Sequence, residues 1–412
     1  MTRTWYLSTG RQIETHYTKL FLQYFLRSFL GGYVSLTAKH RVKSAIQSGQ
    51  VFSRNPAAKT PLTLPMTDPN LIDLSSDTAT RPSPAMRRAM ADAPVGDDQR
   101  GEDPTVNALQ VEAARLLGKE DALFLPSATM ANQIALKLHT QPGDEVLCHE
   151  HAHIRLYEGG GPALLSGCLL HPLTGARGVF TPAQVENAFR PDDPHFARTR
   201  LVCLENTHNY AGGCVWQPQD TEAVINTARA LGLATHLDGS RLLNAAVALN
   251  LSAATLAGPF DTVTLCLSKG LGAPVGAILA GTERDMHAAR RWKHVFGGAM
   301  RQAGIIAAGG LFALQNNIAR LADDQANAAL LAEGLAAIPG VRLDPAPETN
   351  IVYFDIAGTG LTGSEARARL EAAGVRPSVP GPTRLRFVTH LDVSREQSHR
   401  AVEMCQQVLG VR

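Results

Sequence analysis

Between residues 122 and 267, short apolar runs alternate with stretches whose apolar residues recur at helical spacing. The runs are Ala122-Leu-Phe-Leu125, Glu145-Val-Leu-Cys148, Leu201-Val-Cys-Leu204, Ala234-Thr-His-Leu237 and the segment 262–267. Each has strand length, and the intervening patterns predict helices near Met130 and over 182–189 and 221–231. Such alternation builds an α/β sheet that is mostly parallel and covered on both faces, because parallel neighbours need a crossover that packs back onto the sheet. Upstream, Asp103-Pro104-Thr105 is a helix start that opens a pattern running to Leu117. Downstream, helices are expected over 303–313 and 318–337. A β-α-β-α tail follows (351–354, 364–373, 385–388, 395–409) and reads as a smaller α+β unit. The expected organisation is a basic head over 1–66, a large unit over 71–315 and a small C-terminal unit over 316–412.

The head differs in kind from the body. Residues 1–65 carry nine Lys/Arg against the single acid Glu14, while the rest carries thirty bases against thirty-six acids. A net charge of +2 gives no reason to expect nucleic acid as a partner. The head has three readings: a mitochondrial transit segment, a disordered arm, or translated upstream sequence with Met66 as the true start. The last is favoured, because ordered patterning begins just after Met66 at Leu71-Ile-Asp-Leu74. No uninterrupted apolar stretch has membrane-spanning length; Arg27, Ser28, Gly31 and Gly32 break the best candidate, 20–36. Six cysteines without a C-x-x-C pair read as reduced core residues of a cytoplasmic chain.

In an open α/β sheet, ligands bind beyond the carboxyl ends of the strands. Lys269 stands at such an end, between the apolar run that closes at Ser268 and the turn Gly270-Leu-Gly-Ala-Pro-Val-Gly276. Partial removal from water suits a lysine that forms a Schiff base. Beyond residue 66 the other lysines are Lys119 and Lys137, which read as surface helix positions, and Lys293, in a basic cluster with Arg290 and Arg291. A covalent lysine, if used, is therefore Lys269; a lysine that merely ends a strand is the plain alternative. Ser127-Ala128-Thr129 opens a helix and offers an anion site or simply a capping turn. His149-Glu-His151-Ala-His153 follows the next strand. No further ligand completes a metal set there, so no metal is expected, and one histidine stacking on an aromatic ligand is the better reading. Glu205 and His208 sit beside a buried strand, where they are costly without a role. Asp238 and Arg241 form a structural ion pair or else the carboxylate and guanidinium that a pyridoxal phosphate ring requires. No dinucleotide or P-loop pattern is present.

Eight segments carry a resemblance. They are Ile72-Asp-Leu-Ser-Ser-Asp-Thr78, Gly96-Asp-Asp-Gln-Arg-Gly-Glu-Asp-Pro-Thr105, Pro126-Ser-Ala-Thr-Met-Ala-Asn132, Leu204-Glu-Asn-Thr-His-Asn209, His236-Leu-Asp-Gly-Ser-Arg241, Ser268-Lys-Gly-Leu-Gly-Ala-Pro-Val-Gly276, Gly297-Gly-Ala-Met-Arg-Gln-Ala-Gly304 and Arg386-Phe-Val-Thr-His-Leu-Asp392. Together, in this order from about Leu71 to the C terminus, they resemble the low-specificity L-threonine aldolases.

The resemblance implies a fold-type I pyridoxal phosphate enzyme with a large, mostly parallel seven-stranded sheet domain and a small C-terminal α+β domain. It implies a homotetramer built from dimers, with sites at the dimer interface. It places Lys269 on the cofactor as a Schiff base, Asp238 at the pyridine nitrogen, Arg241 at the ring oxygen, Ala128 and Thr129 at the phosphate, and His153 on the ring face. Ser76 and Arg386 would hold the substrate carboxylate, His208 would lie near the β-hydroxyl as a candidate base, and Arg301 would come from the neighbouring subunit. The implied reaction cleaves threonine, allo-threonine or a related 3-hydroxy-amino acid to glycine and an aldehyde. The chain departs from the family pattern in Ala128 for glycine, Arg100 for an aromatic residue, and the pair Lys293-His294. A phenylserine-type aldolase or a β-eliminating lyase is the runner-up. A cofactor-carrying protein without turnover is a third reading, which the intact Asp238, Arg241 and Lys269 set disfavours.

Overall fold

The computed structural model describes residues 71–410, so the basic head expected over 1–66 lies outside the described residues. The strands, in chain order, are β1 (Ile72–Asp73), β2 (Asp121–Leu125), β3 (Glu145–His149), β4 (Leu169–Leu173), β5 (Thr199–Glu205) and β6 (Ala234–Gly239), then β7 (Thr262–Cys266), β8 (Ala277–Gly281), β9 (Arg342–Leu343), β10 (Ile351–Asp355), β11 (Val375–Arg376) and β12 (Arg384–Val388). Seven of them form one sheet in the order β2-β8-β7-β6-β5-β3-β4. From β7 through β6, β5 and β3 to β4 every pairing is parallel, while β8 runs antiparallel to both β7 and β2. Hence β2, β3, β5, β6 and β7 all deliver their carboxyl ends to the same edge. The expected mostly parallel α/β sheet is present.

Side chains alternate across this sheet with period two. Phe124, Leu147, Val202, Leu237 and Val263 face the larger core, which the helices Pro104–Leu117, Pro218–Ala230 and Gly304–Asn316 cover. Leu123, Leu125 and Leu279 face the other way, against the helices Ala128–His139 and Glu283–Val295. Caps set the helix starts: Asp103 accepts from Thr105 N and Val106 N at 3.1 and 3.0 Å, with Pro104 at the first helical position. Reciprocal capping boxes open the helices Pro182–Ala188, Gly363–Ala373 and Arg395–Leu409.

A separate core lies under the antiparallel sheet β12-β10-β9 and the helices Leu321–Ala336, Gly363–Ala373 and Arg395–Leu409. Ile72 and Leu74 belong to this core, and β1 pairs in parallel with β11. The start of the body therefore packs with the C-terminal part, although its position in the chain suggests the large unit.

Two strands escaped the sequence reading, and two lysines are placed otherwise than expected. Strand β4 was not legible, since Leu169-Leu-His-Pro-Leu173 is half exposed and carries Pro172, which an edge strand tolerates. Strand β8 was hidden because its apolar run follows the glycine-rich turn directly and reads as part of it. Lys119 is not a helix position: the helix stops at Leu117 with Gly118 at φ 62°, and the lysine amine donates to the carbonyls of Gly258 and Phe260. Lys293 does not join Arg290 and Arg291 at the surface but is buried, paired with Asp98 at 2.7 Å.

Candidate active site

The carboxyl edge of the sheet brings the expected residues together. Beyond β7 the chain turns at Lys269, whose carbonyl accepts from Gly272 N at 2.8 Å and from Thr80 Oγ1 at 3.1 Å. Gly272 is required here: its φ is +77° and a Cβ would lie 2.4 Å from Leu391. Lys269 is half-buried, and its charge helps lower the proton affinity of both Asp77 and Asp238.

Asp238, near the end of β6, is buried. Its Oδ1 accepts from Ser240 N at 3.1 Å and its Oδ2 from Asn132 Nδ2 at 2.9 Å. Burial favours the protonated acid, but His153, Lys269 and the Ser240 hydrogen bond outweigh it and hold the carboxyl below its usual range. Each oxygen retains a lone pair, as a partner for a protonated ring nitrogen requires.

His153 follows β3. Its backbone N–H donates to Glu205 at 2.7 Å and its Nδ1 lies 2.9 Å from Glu158 Oε1. Burial disfavours the imidazolium, yet the Glu158 hydrogen bond and the charges of Asp238, Glu205 and Glu158 raise its pKa above the ordinary value. A carboxylate only accepts, so Nδ1 carries the proton and Nε2 keeps its lone pair. Glu205 is itself pushed upward, by burial first and then by Asp238.

His208 is fully buried. Ala211 N donates to its Nδ1 at 3.3 Å, which leaves the proton on Nε2, and Nε2 has no hydrogen-bond partner. Burial and the neighbouring His151 push its pKa down to about 4. The ring is therefore neutral, with its N–H at Nε2. It meets His149 edge-on, ring centroids 4.7 Å apart. His149, Glu150 and His151 lie close enough to share an ion, but His149 Nε2 donates to Gly175 O at 3.0 Å and its Nδ1 accepts from His151 N at 3.1 Å. His151 stacks on Tyr210.

Arg241 makes its ion pair not with Asp238, the structural alternative offered by the sequence, but with Asp77, a residue without an assigned role in the sequence reading. Burial would raise the Asp77 pKa, and the guanidinium overrides it, holding the carboxyl far below its usual range. Arg386 Nε donates to Ser378 Oγ at 3.1 Å, Nη1 to Asn209 Oδ1 at 3.2 Å and Nη2 to Ser75 O at 3.1 Å. Asn209 Oδ1 also accepts from Arg241 Nη1 at 3.3 Å, so one amide links the two arginines. Ser76, beside Ser75, caps the short turn Asp77–Ala79. Arg384 turns away, pairing with Asp344 at 3.3 Å with its guanidinium 3.9 Å from the Tyr353 ring centroid.

Ser127 caps the helix Ala128–His139, and the first N–H groups, at Ala128 and Thr129, precede its hydrogen-bond ladder. Arg301, its side chain 61% exposed, pairs with Asp97 at 3.0 Å. Arg100 is also exposed and leans on Asp97. An amine, a buried carboxylate, an imidazole and a helix N-terminus converge on one edge. That donor set fits pyridoxal phosphate, an aromatic ring with a basic nitrogen, an aldehyde and a phosphate. Asn132, Glu158 and Asn209 were missed by sequence reasoning. Asn132 and Asn209 close two of the quoted segments, which is the one signal that pointed to them.

Comparison with known proteins shows the family. The family model described as beta-eliminating lyase matches residues 73–358. The low specificity L-threonine aldolase of Escherichia coli is 45% identical over 332 residues, covering 79% of this chain and 96% of that protein. Low-specificity L-threonine aldolase 1 of Arabidopsis thaliana is 40% identical over 348 residues, covering 82% and 96%. Among solved structures, the Leishmania major threonine aldolase superposes with a TM-score of 0.72 at 22% identity, covering 82% of this chain and all of that one, a likeness of fold.

Proposed function

The chain belongs to the beta-eliminating lyase family, as a low-specificity L-threonine aldolase, and from that premise we propose how its own residues carry the cleavage. It is a pyridoxal-phosphate-dependent aldehyde-lyase. When bound, the cofactor supplies the electron sink that lets the Cα–Cβ bond open. Lys269 would hold it through the amine, Asp238 would partner the ring nitrogen, Arg241 the ring oxygen, the N–H groups of Ala128 and Thr129 the phosphate, and His153 the ring face. Arg386, steadied by Ser75, Ser378 and Asn209, takes the substrate carboxylate with Ser76.

Proton handling falls to the two histidines. Glu158 orients His153 so that Nε2 is free to accept the β-hydroxyl proton as the aldehyde forms, with a pKa raised toward the operating range. His208, neutral with its proton on Nε2, donates to the β-oxygen and fixes its direction once the substrate orders the site. Substrates are L-threonine, L-allo-threonine and related 3-hydroxy-amino acids, and the products are glycine and an aldehyde.

The convergence of Lys269, Asp238 and His153 on one sheet edge, with Arg386 reaching Asn209 beyond β5, carries this reading. Incubating the holoenzyme with L-threonine and assaying the products tests it. Glycine with acetaldehyde in equal amounts supports retro-aldol cleavage; a 2-oxo acid with ammonia makes the protein a β-eliminating lyase instead.

The same reading includes a homotetramer of dimers in which the exposed Arg301, anchored on Asp97, serves the neighbouring subunit's site. A cytoplasmic location is supported by six free, buried cysteines. No helix among the described residues is long and apolar enough to cross a membrane.

A further inference from the structure

Behind the candidate site runs a chain of buried hydrogen bonds whose direction is fully determined. Asn132, on the helix Ala128–His139, is completely buried and donates both amide hydrogens to carboxylates: to Glu158 Oε1 at 2.8 Å and to Asp238 Oδ2 at 2.9 Å. Its Oδ1 must then be the acceptor, so the contact with His236 Nε2 at 3.1 Å places the proton on that nitrogen. His236 Nδ1 consequently accepts from Thr262 Oγ1 at 2.9 Å, and Thr262 accepts in turn from His139 Nε2 at 2.9 Å. A reversed Asn132 amide would set its oxygen against two carboxylates. The network has one arrangement only.

We propose that Asn132 is a positioning residue for the cofactor: from a single amide it holds Asp238, the partner of the ring nitrogen, and Glu158, which orients His153 over the ring. This rests on the roles given above to Asp238 and His153. The physical need is clear, because Asp238 and Glu158 offer oxygens close enough to share one ion, and in a buried site two such carboxylates repel. Asn132 separates them with a donor to each. His236 is the lock that stops the amide from turning, and Gln133 Nε2, at 2.6 Å from Glu158 Oε2, holds the other side of that carboxylate. His153 is faced by Glu158, Glu205 and Asp238, with Tyr157 alongside. Loss of Asn132 thus changes the two carboxylates that matter most to that imidazole.

The test uses four proteins: wild type, Asn132→Leu, Asp238→Asn and the double variant. Three readouts apply to each: the cofactor Kd from the visible band of the lysine-bound form, the Tm of the apoprotein, and the pH dependence of kcat/KM. Leucine keeps the branching at Cγ and removes both donors. Asn132→Leu is expected to weaken cofactor binding by about tenfold or more, because a charged hydrogen bond is lost. It should add little to the loss already caused by Asp238→Asn, and it should move the His153 limb of the pH profile. Unchanged cofactor affinity in Asn132→Leu, or losses that add fully in the double variant, overturns the proposal while leaving the role of Asp238 intact. If Asp238→Asn binds cofactor as wild type does, the reading of Asp238 falls, and the proposal with it. Should Asn132→Leu not fold, His236→Phe replaces it: removing the lock is expected to weaken cofactor binding about threefold, less than loss of both amide donors, and an unaltered Kd overturns the proposal.

Discussion

Arg241 and Asp77 face each other through two parallel hydrogen bonds, Nε to Oδ2 and Nη2 to Oδ1, each 2.7 Å. Both are buried, the aspartate completely. The pair ties the segment after β1 to the end of β6, 164 positions away. Removing one partner leaves a charge buried without compensation, so Asp77→Ala is expected to destabilise the protein by about 3–5 kcal/mol. The pH dependence follows from the sign of the shift. A carboxyl whose folded pKa is depressed contributes fully above its unfolded value, about 4, and loses that contribution as pH falls through the folded value. Acid titration of wild type and Asp77→Asn checks this: the wild-type advantage should be present at neutral pH and shrink only below about pH 4.

Lys269→Ala should abolish the visible band of the lysine-bound cofactor. Borohydride should then trap no adduct. A reducible adduct persisting in this variant would move the covalent attachment to another lysine, and Lys137, whose amine lies over Trp292, would be the next to substitute.

The His153–Glu158 pair makes a prediction about activity. If Nε2 accepts a proton, kcat/KM rises with pH through the His153 pKa, which lies above the ordinary histidine value. Glu158→Gln removes the negative charge and should shift that limb downward. A limb that stays in place in Glu158→Gln would assign it to a different group.

His208 makes a prediction about stability. Its folded pKa of about 4 lies below the ordinary value, so the unfolded chain binds the proton more readily. The contribution is present above about pH 6.5 and is lost as pH falls through the folded value, at up to about 1.4 kcal/mol per pH unit. Urea unfolding of wild type and His208→Asn between these limits measures it, and the variant should show the shallower slope. Because the ring is a donor, His208→Asn should also retain more activity than His208→Phe.

Arg386→Lys should mainly raise KM for L-threonine with cofactor still bound. A lysine cannot span Ser75, Ser378 and Asn209 while also receiving a carboxylate, and a charged hydrogen bond is worth about 1.5–3 kcal/mol. Arg384, two residues earlier on the same strand, is committed to Asp344 and Tyr353, so Arg384→Lys should leave KM closer to wild type. A larger KM defect in the Arg384 variant would relocate the carboxylate site.

Much of the architecture was written in local pattern. Helix starts at Asp103, Thr362 and Ser394 combine a capping side chain with helical periodicity, and the strands that end at Glu205, Gly239 and Cys266 are short apolar runs bounded by polar residues. Those signals depend on neighbours within a few positions, so they survive without knowledge of the fold. Strand β8 was not legible because nothing within five residues distinguishes a buried antiparallel strand from the tail of a glycine turn, and β4 because an edge strand needs little hydrophobicity.

The sequence by itself determined the layered α/β class and the placement of Lys269 at the carboxyl end of a strand, since each follows from periodicity or residue type at a strand end. Only the tertiary structure decided which charges neutralise one another. Asp77 meets Arg241 across 164 positions, Asn132 meets Asp238 across 106, and Lys293 meets Asp98 across 195. The tautomer of His208 was likewise set by one backbone N–H, at Ala211, that points at its Nδ1. Burial and hydrogen bonding set these states, and both are properties of surfaces brought together by folding rather than of residues adjacent in the chain.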